Sequence, residues 1–227
     1  MKKIYLIGDS LSKSITSKNH RYVKDNFDIV KELENNYSLE IENYSQIGQT
    51  LYRIIEKDIL KKIYTEKPSN LYEKQYVVIE LGGNDCDYYW EQINNDPIAN
   101  HLPKTPFNSF FEQLTLITKK CREENLCPVF LLTPPIVAKR YFDFLCTKFN
   151  KEKLLEFLYY DVTNIYRHQE CYMMNILKLA KQLNVKVLDL RTEFLLKKDF
   201  NTYICEDGIH PNEKGYKFLY KLIEKNL

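Results

Sequence analysis

The sequence predicts an α/β fold, a three-layer α/β/α sandwich around a mostly parallel sheet. Two observations carry this. Short apolar runs rich in β-branched residues, without apolar/polar alternation, recur along the chain, as strands covered on both faces do. Between them lie stretches whose apolar residues repeat at helical spacing.

Residues 3–7 form the first strand, and the run closes abruptly at Gly8-Asp9-Ser10. A polar loop follows. Phe27, Val30 and Leu33 then share one face of a helix that ends at Asn35-Asn36. Residues 39–43 read as a second strand, and residues 45–49 as a turn whose Gly48 sits just before a helix. In that helix Leu51, Ile54, Ile55, Ile59 and Ile63 keep a helical period, broken at Pro68-Ser69-Asn70. The clearest strand is YVVIEL, residues 76–81, which stops at Gly82-Gly83-Asn84-Asp85.

Residues 86–104 are polar and aromatic with no clear period. Thr105 resembles an N-cap with Pro106 at the first helical position. Phe107, Phe110, Phe111, Leu114, Ile117 and Cys121 supply the apolar stripe of the helix after it. Residues 128–133 are a fourth strand closed by Pro134-Pro135. From about 150 to 183 the pattern is helical, as two helices or one with a bend. Residues 185–190 are a fifth strand, and Tyr216, Leu219, Leu222 and Ile223 mark a terminal helix. The expected strand order is the flavodoxin-like 2-1-3-4-5, which places ligands at the carboxyl ends of the strands. No repeat, low-complexity tract or linker divides the chain. Residues 1–227 therefore read as one domain, with longer loops at about 86–104 and 134–169.

Composition narrows the function. Thirty-three Lys and Arg against 31 Asp and Glu give a net charge of +2. Nucleic acid and anionic membranes favour a concentrated basic face, so neither is expected as a partner. The apolar run after Lys2-Lys3 is too short for a signal peptide, and no later run approaches membrane-spanning length. A cytoplasmic location is the expectation. The six cysteines (Cys86, Cys121, Cys127, Cys146, Cys171 and Cys205) have no Cys-x-x-Cys spacing and no histidine at ligand distance. A structural zinc is not expected, and the thiols read as reduced, mostly as small core residues.

Three glycine-containing turns converge on one edge of such a sheet: Gly8-Asp9-Ser10, the turn at Gly48, and Gly82 to Asp85. A fourth element, Asp207-Gly208-Ile209-His210, comes just before the last helix. A nucleophilic serine needs a base, and imidazole titrates in the right range. The imidazole needs a carboxylate to fix its tautomer. Asp207 and His210 can supply both from one loop. A tetrahedral intermediate needs preorganised donors where charge develops. The Ser10 amide, the Gly48 amide and the Asn84 side chain are candidates, each just beyond a strand end.

In these four blocks the chain resembles the SGNH/GDSL hydrolase family, whose pattern is a GDS serine motif, a separate glycine, a GxND asparagine and a DxxH pair. All four stand here in that order, from the first strand to the last helix. The resemblance implies a serine esterase with no metal or cofactor. Ser10 would be the nucleophile, His210 the base and then acid, Asp207 its orienter, and Gly48 and Asn84 would complete an oxyanion hole with Ser10. It further implies hydrolysis of an ester, without choosing among lipid, aryl and carbohydrate O-acyl esters; with no signal peptide read, a small O-acyl group on a soluble alcohol or carbohydrate is the expected substrate.

Taken singly, Gly-Asp-Ser and Gly-Gly-Asn-Asp are ordinary turn chemistry, and Asp-Gly before His-Pro suits a helix-entry loop. Their conjunction in one order favours catalysis. Asp9 and Asp85 read as caps on turn amides. Tyr88, Tyr89, Trp90 and His101 are candidate substrate contacts, although Tyr88-Tyr89-Trp90 reads equally as a hydrophobic plug. His20 and His168 read as surface or loop histidines. Two rival functions remain: acyl transfer at the same site, and a non-catalytic module that recognises a glycan or peptide.

Overall fold

Apolar residues on both faces of consecutive strands decide the architecture. The computed structural model describes residues 2–66 and 74–226. In chain order the strands are β1 (Lys2–Ile7), β2 (Ile15–Lys18), β3 (Arg21–Lys24), β4 (Leu39–Asn43), β5 (Gln75–Ile79), β6 (Cys127–Leu132) and β7 (Lys186–Asp189). The helices are α1 (Ile29–Asn36), α2 (Leu51–Glu56), α3 (Ile59–Glu66), α4 (Trp90–Asn95), α5 (Phe107–Glu123), α6 (Ala138–Leu145), α7 (Lys151–Phe157), α8 (Thr163–Leu183), α9 (Arg191–Leu195) and α10 (Glu213–Glu224).

Five strands pair in the order β4-β1-β5-β6-β7, all parallel. Counting only these, the order is the expected 2-1-3-4-5. Successive side chains along a strand point to opposite faces. Tyr5, Ile7, Val77, Ile79, Phe130 and Leu132 therefore meet one helical layer, which includes Leu51, Phe110 and Met173. Leu6, Leu131 and Leu188 meet the other, which includes Val30, Phe194, Tyr216 and Leu219. Burial of a large apolar side chain contributes about 1.5–3 kcal/mol, so this two-sided pattern holds the sheet between its layers. The register Ile7↔Ile79 ends β1 and β5 level with one another. Gly8 and Glu80 thus emerge side by side.

The expected polar loop after β1 is instead a two-stranded hairpin, β2 paired antiparallel with β3. Its turn residues Asn19 and His20 both have positive φ, 51° and 59°, as a type I′ hairpin requires. Asn-His in place of Asn-Gly, together with four exposed residues in β3, hid the signal. The single helix expected from Leu51 to Ile63 is two, α2 and α3, separated where Asp58 turns left-handed at φ 51°. Its expected end at Pro68-Ser69-Asn70 lies outside the described residues.

Thr105 does not cap α5. Pro106 occupies the cap position, and the Thr105 hydroxyl donates to Asp85 Oδ1 at 2.6 Å. The segments expected as longer loops carry helices, α4 within 86–104 and α6 within 134–149, while α7 and α8 are the two helices expected from about 150 to 183. Apolar residues of 86–104 and 134–169 meet in a third cluster, with Trp90 and Ile93 from the former against Tyr141, Phe144, Leu154 and Leu158 from the latter. Among the described residues no helix is long and apolar enough to cross a membrane.

Candidate active site

Ser10 leaves the carboxyl end of β1 on a turn that is tied to the neighbouring strand. The Asp9 amide donates to Glu80 Oε2 at 2.9 Å, and the Ser12 hydroxyl donates to the same oxygen at 2.9 Å. Gly8 is needed between them, because a Cβ there would lie 2.5 Å from Glu80 Oε2 and 2.6 Å from Ser12 Oγ. Glu80 is wholly buried and its Oε1 has no partner. Burial, with the Asp9 charge beside it, pushes its carboxyl well above the usual carboxylate range. A neutral acid accepting two donors on its carbonyl oxygen avoids the cost of an unpaired buried charge.

The loop before α10 brings the other two groups. His210 Nε2 lies 2.9 Å from Ser10 Oγ, and His210 Nδ1 lies 2.6 Å from Asp207 Oδ2. Asp207 is fully buried. Its second oxygen accepts the backbone amides of Ile209 and His210, each at 3.1 Å. The carboxylate therefore closes its own turn and faces the imidazole from a fixed position. Asn212 caps α10 through Gly215 N, which sets where the loop ends. With Nδ1–H donated to Asp207, Nε2 is left as the acceptor for the serine proton. Hydroxyl, imidazole and carboxylate in this order can generate a nucleophile at neutral pH.

Further donors line the same cleft as Ser10. Among the described residues neither the Ser10 amide nor the Gly48 amide has an acceptor, and both residues line the cleft with Asn84. Gly48 holds φ 69°, a left-handed conformation that suits glycine. Asn84 Nδ2 donates one hydrogen to Asp9 Oδ2 at 2.6 Å. This orients the amide group and leaves its second N–H free for a ligand. Asp9 also accepts the Leu11 amide at 2.9 Å. Burial raises its carboxyl, against the donors from Leu11, Ser10 and Asn84. Asp85 accepts Leu51 N, Gly82 N and the Thr105 hydroxyl, which joins the start of α2 to the Gly82–Asn84 turn. Burial pushes its pKa up to about 6 in spite of these donors.

These groups open into a cleft of about 1370 Å³. Of the candidate substrate contacts, Tyr88, Trp90 and His101 line it and Tyr89 does not. Tyr89 is 52% exposed, because the chain enters α4 there with its ring turned outward. Trp90 is held from both sides, its Nε1 donating to Asp87 Oδ1 at 2.8 Å and to the Tyr141 hydroxyl at 3.1 Å. Tyr141 and Lys104 both donate to Asp87 Oδ2. His168 is not a surface or loop histidine. It sits on α8 in the cleft wall, 5.0 Å from the Tyr88 ring, and burial lowers its pKa. His20 stays at the hairpin tip, stacked on Phe144.

Tyr22 and Glu80 escaped the sequence reading. The Tyr22 ring, carried by β3, lies 4.9 Å from the His210 ring. Although the residue is 46% exposed, desolvation where it packs on His210, with Asp207 and Asp87 adding to it, pushes the Tyr22 phenol up to about 12. No local signal marks it, since the unrecognised hairpin brings it there. Glu80 carried a usable signal, an ionisable residue inside the apolar run YVVIEL. The Cys86 thiol, pushed well up by burial, is poorly suited to act as a nucleophile. Among the described residues no group of three or more His, Cys, Asp or Glu is placed to hold a metal ion.

A family model described as GDSL-like lipase/acylhydrolase matches residues 4–223. A GDSL esterase/lipase of Arabidopsis thaliana is 25% identical over 154 residues, 66% of this chain and 43% of that protein, so the match spans less than half of the relative. The structure of a lipase/acylhydrolase from Enterococcus faecalis is similar over 100% of this chain and 95% of its own, with TM-score 0.58 and 16% identity. A catalytic mutant of an acetylxylan esterase from Geobacillus stearothermophilus is similar over 98% of this chain and 92% of its own, with TM-score 0.65 and 16% identity. At these identities the structural likeness is one of fold.

Proposed function

Because the chain belongs to the GDSL-like lipase/acylhydrolase family, whose members act on ester bonds, we propose that it is a serine esterase working through an acyl-enzyme on Ser10. The observation that carries this is the ordered contact of Ser10 Oγ with His210 Nε2 at 2.9 Å and of His210 Nδ1 with Asp207 Oδ2 at 2.6 Å. Ser10 Oγ attacks the ester carbonyl carbon while its proton passes to His210 Nε2. The imidazolium so formed is stabilised through Nδ1 by Asp207. The carbonyl oxygen becomes an oxyanion facing the Ser10 amide, the Gly48 amide and Asn84 Nδ2. As the intermediate collapses, His210 returns the proton to the leaving alcohol. Water then repeats the sequence against the acyl-enzyme, giving up a proton to His210 and releasing the free acid.

The substrate reading is a small O-acyl group on an alcohol or carbohydrate, and the chain acts as one domain. Two charged residues on the cleft lining, Asp87 and Lys104, support a small acyl group. Asp87 and Lys104 form an ion pair at 2.8 Å, and a long alkyl chain laid along charged groups gains little from burial. The similarity in fold to an acetylxylan esterase agrees with a carbohydrate as the alcohol.

A serine-directed fluorophosphonate is expected to label the protein at Ser10. Ser10→Ala should abolish both labelling and hydrolysis of 4-nitrophenyl acetate. Undiminished hydrolysis by the Ala variant would sink the assignment.

A further inference from the structure

The cleft extends well beyond the reacting atoms, along a wall of rings. Past Asn84, Asp87 holds Trp90, and Trp90 meets Phe157 edge-on at 6.1 Å. Phe157 in turn meets Tyr88 at 5.0 Å and His101 at 5.6 Å. Phe157 ends α7, and the chain then turns through Tyr159 and Tyr160 at the rim of the same cleft.

Those two tyrosines are unusual in two independent ways. Both have left-handed backbones, φ 51° and 57°. Most other non-glycine residues with positive φ here are Asn, Asp or His, which tolerate that region, whereas a bulky side chain there is an outlier. Both are also exposed, Tyr159 at 87% and Tyr160 at 70%, although they line the cleft. The backbone around them is firmly held. Tyr159 N donates to Glu156 O and Tyr160 N to Leu155 O, Asn164 Nδ2 donates to Leu158 O, and Asp161 caps Thr163. A rigid turn thus presents two rings to water at a conformational cost that glycine or asparagine would avoid. Such strain is retained where the side chain itself is required.

We propose that Tyr159 and Tyr160 form a distal subsite that stacks on the sugar rings of an oligosaccharide whose O-acyl group lies at Ser10, a proposal that rests on the esterase reading above. A pyranose ring has apolar C–H faces and hydroxyl edges. The rim offers flat rings to the faces, and it offers Glu156 and Arg167, the latter also paired with Asp161, to the edges. An acyl chain has no use for those polar neighbours. A preformed turn and stiff aromatic side chains keep the entropy lost on binding small.

The test titrates Ser10→Ala protein calorimetrically with acetylated xylo-oligosaccharides of increasing length. Affinity should rise with length. The pair Tyr159→Asn/Tyr160→Asn, made on that background, should weaken binding of the longer oligosaccharides about tenfold, while Tyr159→Phe/Tyr160→Phe retains it. Asn suits the left-handed backbone, so the melting temperature of the Asn pair should hold or rise, which separates lost binding from lost fold. With Ser10 present, the Asn pair should raise KM for the longer oligosaccharides with little change in kcat. Affinity independent of length, or an Asn-pair loss confined to long-chain 4-nitrophenyl esters or to lipid vesicles, would overturn the proposal. Failure of the wild type to hydrolyse 4-nitrophenyl acetate would instead strike the Ser10 reading, with the binding titration still deciding the subsite.

Discussion

Glu80 Oε2 accepts the backbone amide of Asp9 at 2.9 Å, so the turn that carries Ser10 is fastened to the end of the adjacent strand. The contact exists because β1 and β5 finish in register at Ile7 and Ile79. It gives that turn a rigid backing, and it requires that nothing larger than hydrogen project from Gly8.

Gly8→Ala should therefore harm both stability and rate. Its Cβ would meet Glu80 Oε2 at 2.5 Å and Ser12 Oγ at 2.6 Å, and both side chains are buried. Overpacking of this kind costs about 1–3 kcal/mol. A shift of Ser10 by about 1 Å can lower kcat/KM about 100-fold. Urea denaturation and steady-state kinetics on an activated acetyl ester would read the two effects. Wild-type values in both would mean the turn is not braced as described.

Asp207→Asn is expected to keep the turn and lose the chemistry. The retained Oδ1 can still accept the amides of Ile209 and His210. The new amide group would place N–H against His210 Nδ1, so the imidazole would present Nε2–H to Ser10 and could not take its proton. A fall of about 10⁴ in kcat is the expected scale, with a near-native melting curve. A rate within tenfold of wild type would contradict the assigned role.

Asn84→Ala tests the oxyanion donors. Losing one preorganised donor typically lowers kcat about 10²–10³-fold with a smaller effect on KM. Asp9 would also lose the donor it now receives at 2.6 Å. Asp9→Asn, which leaves the Asn84 side chain in place but loosens its orientation, should show a milder loss in kcat. A KM effect alone in Asn84→Ala would place Asn84 in ground-state binding instead.

Asp85 predicts a pH dependence of stability. Its folded pKa is pushed up to about 6, against about 3.9 in an unfolded chain, so the native state holds a proton that the unfolded chain releases. Below about pH 4 both forms are protonated and no penalty arises. As pH climbs from about 4 to about 6 the native state loses ground, by about 3 kcal/mol in total. The difference between the pH profiles of the urea midpoint for wild type and Asp85→Asn should show this fall. Parallel profiles across the window would refute it.

Local chemistry made part of this protein readable from its sequence. Strands buried on both faces betray themselves as unbroken apolar runs, and the turns that end them need Gly, Asn, Asp and Ser at fixed places. The five parallel strands, their order, and the positions of Ser10, Gly48, Asn84, Asp207 and His210 at strand ends or at the last helix entry followed from those signals. Tertiary structure alone decided what depends on residues far apart in the chain. The hairpin that sets Tyr22 against His210 has no apolar alternation to announce it. Glu80 lies inside an apolar run, and only strand register turns its carboxyl under Asp9. Between 86 and 104 no period fixes which ring faces inward, so Tyr89 could not be separated from Tyr88 and Trp90 until α4 packed against α7. Turns and strands are written in neighbouring residues, whereas the cleft forms where distant segments bury one another's apolar faces.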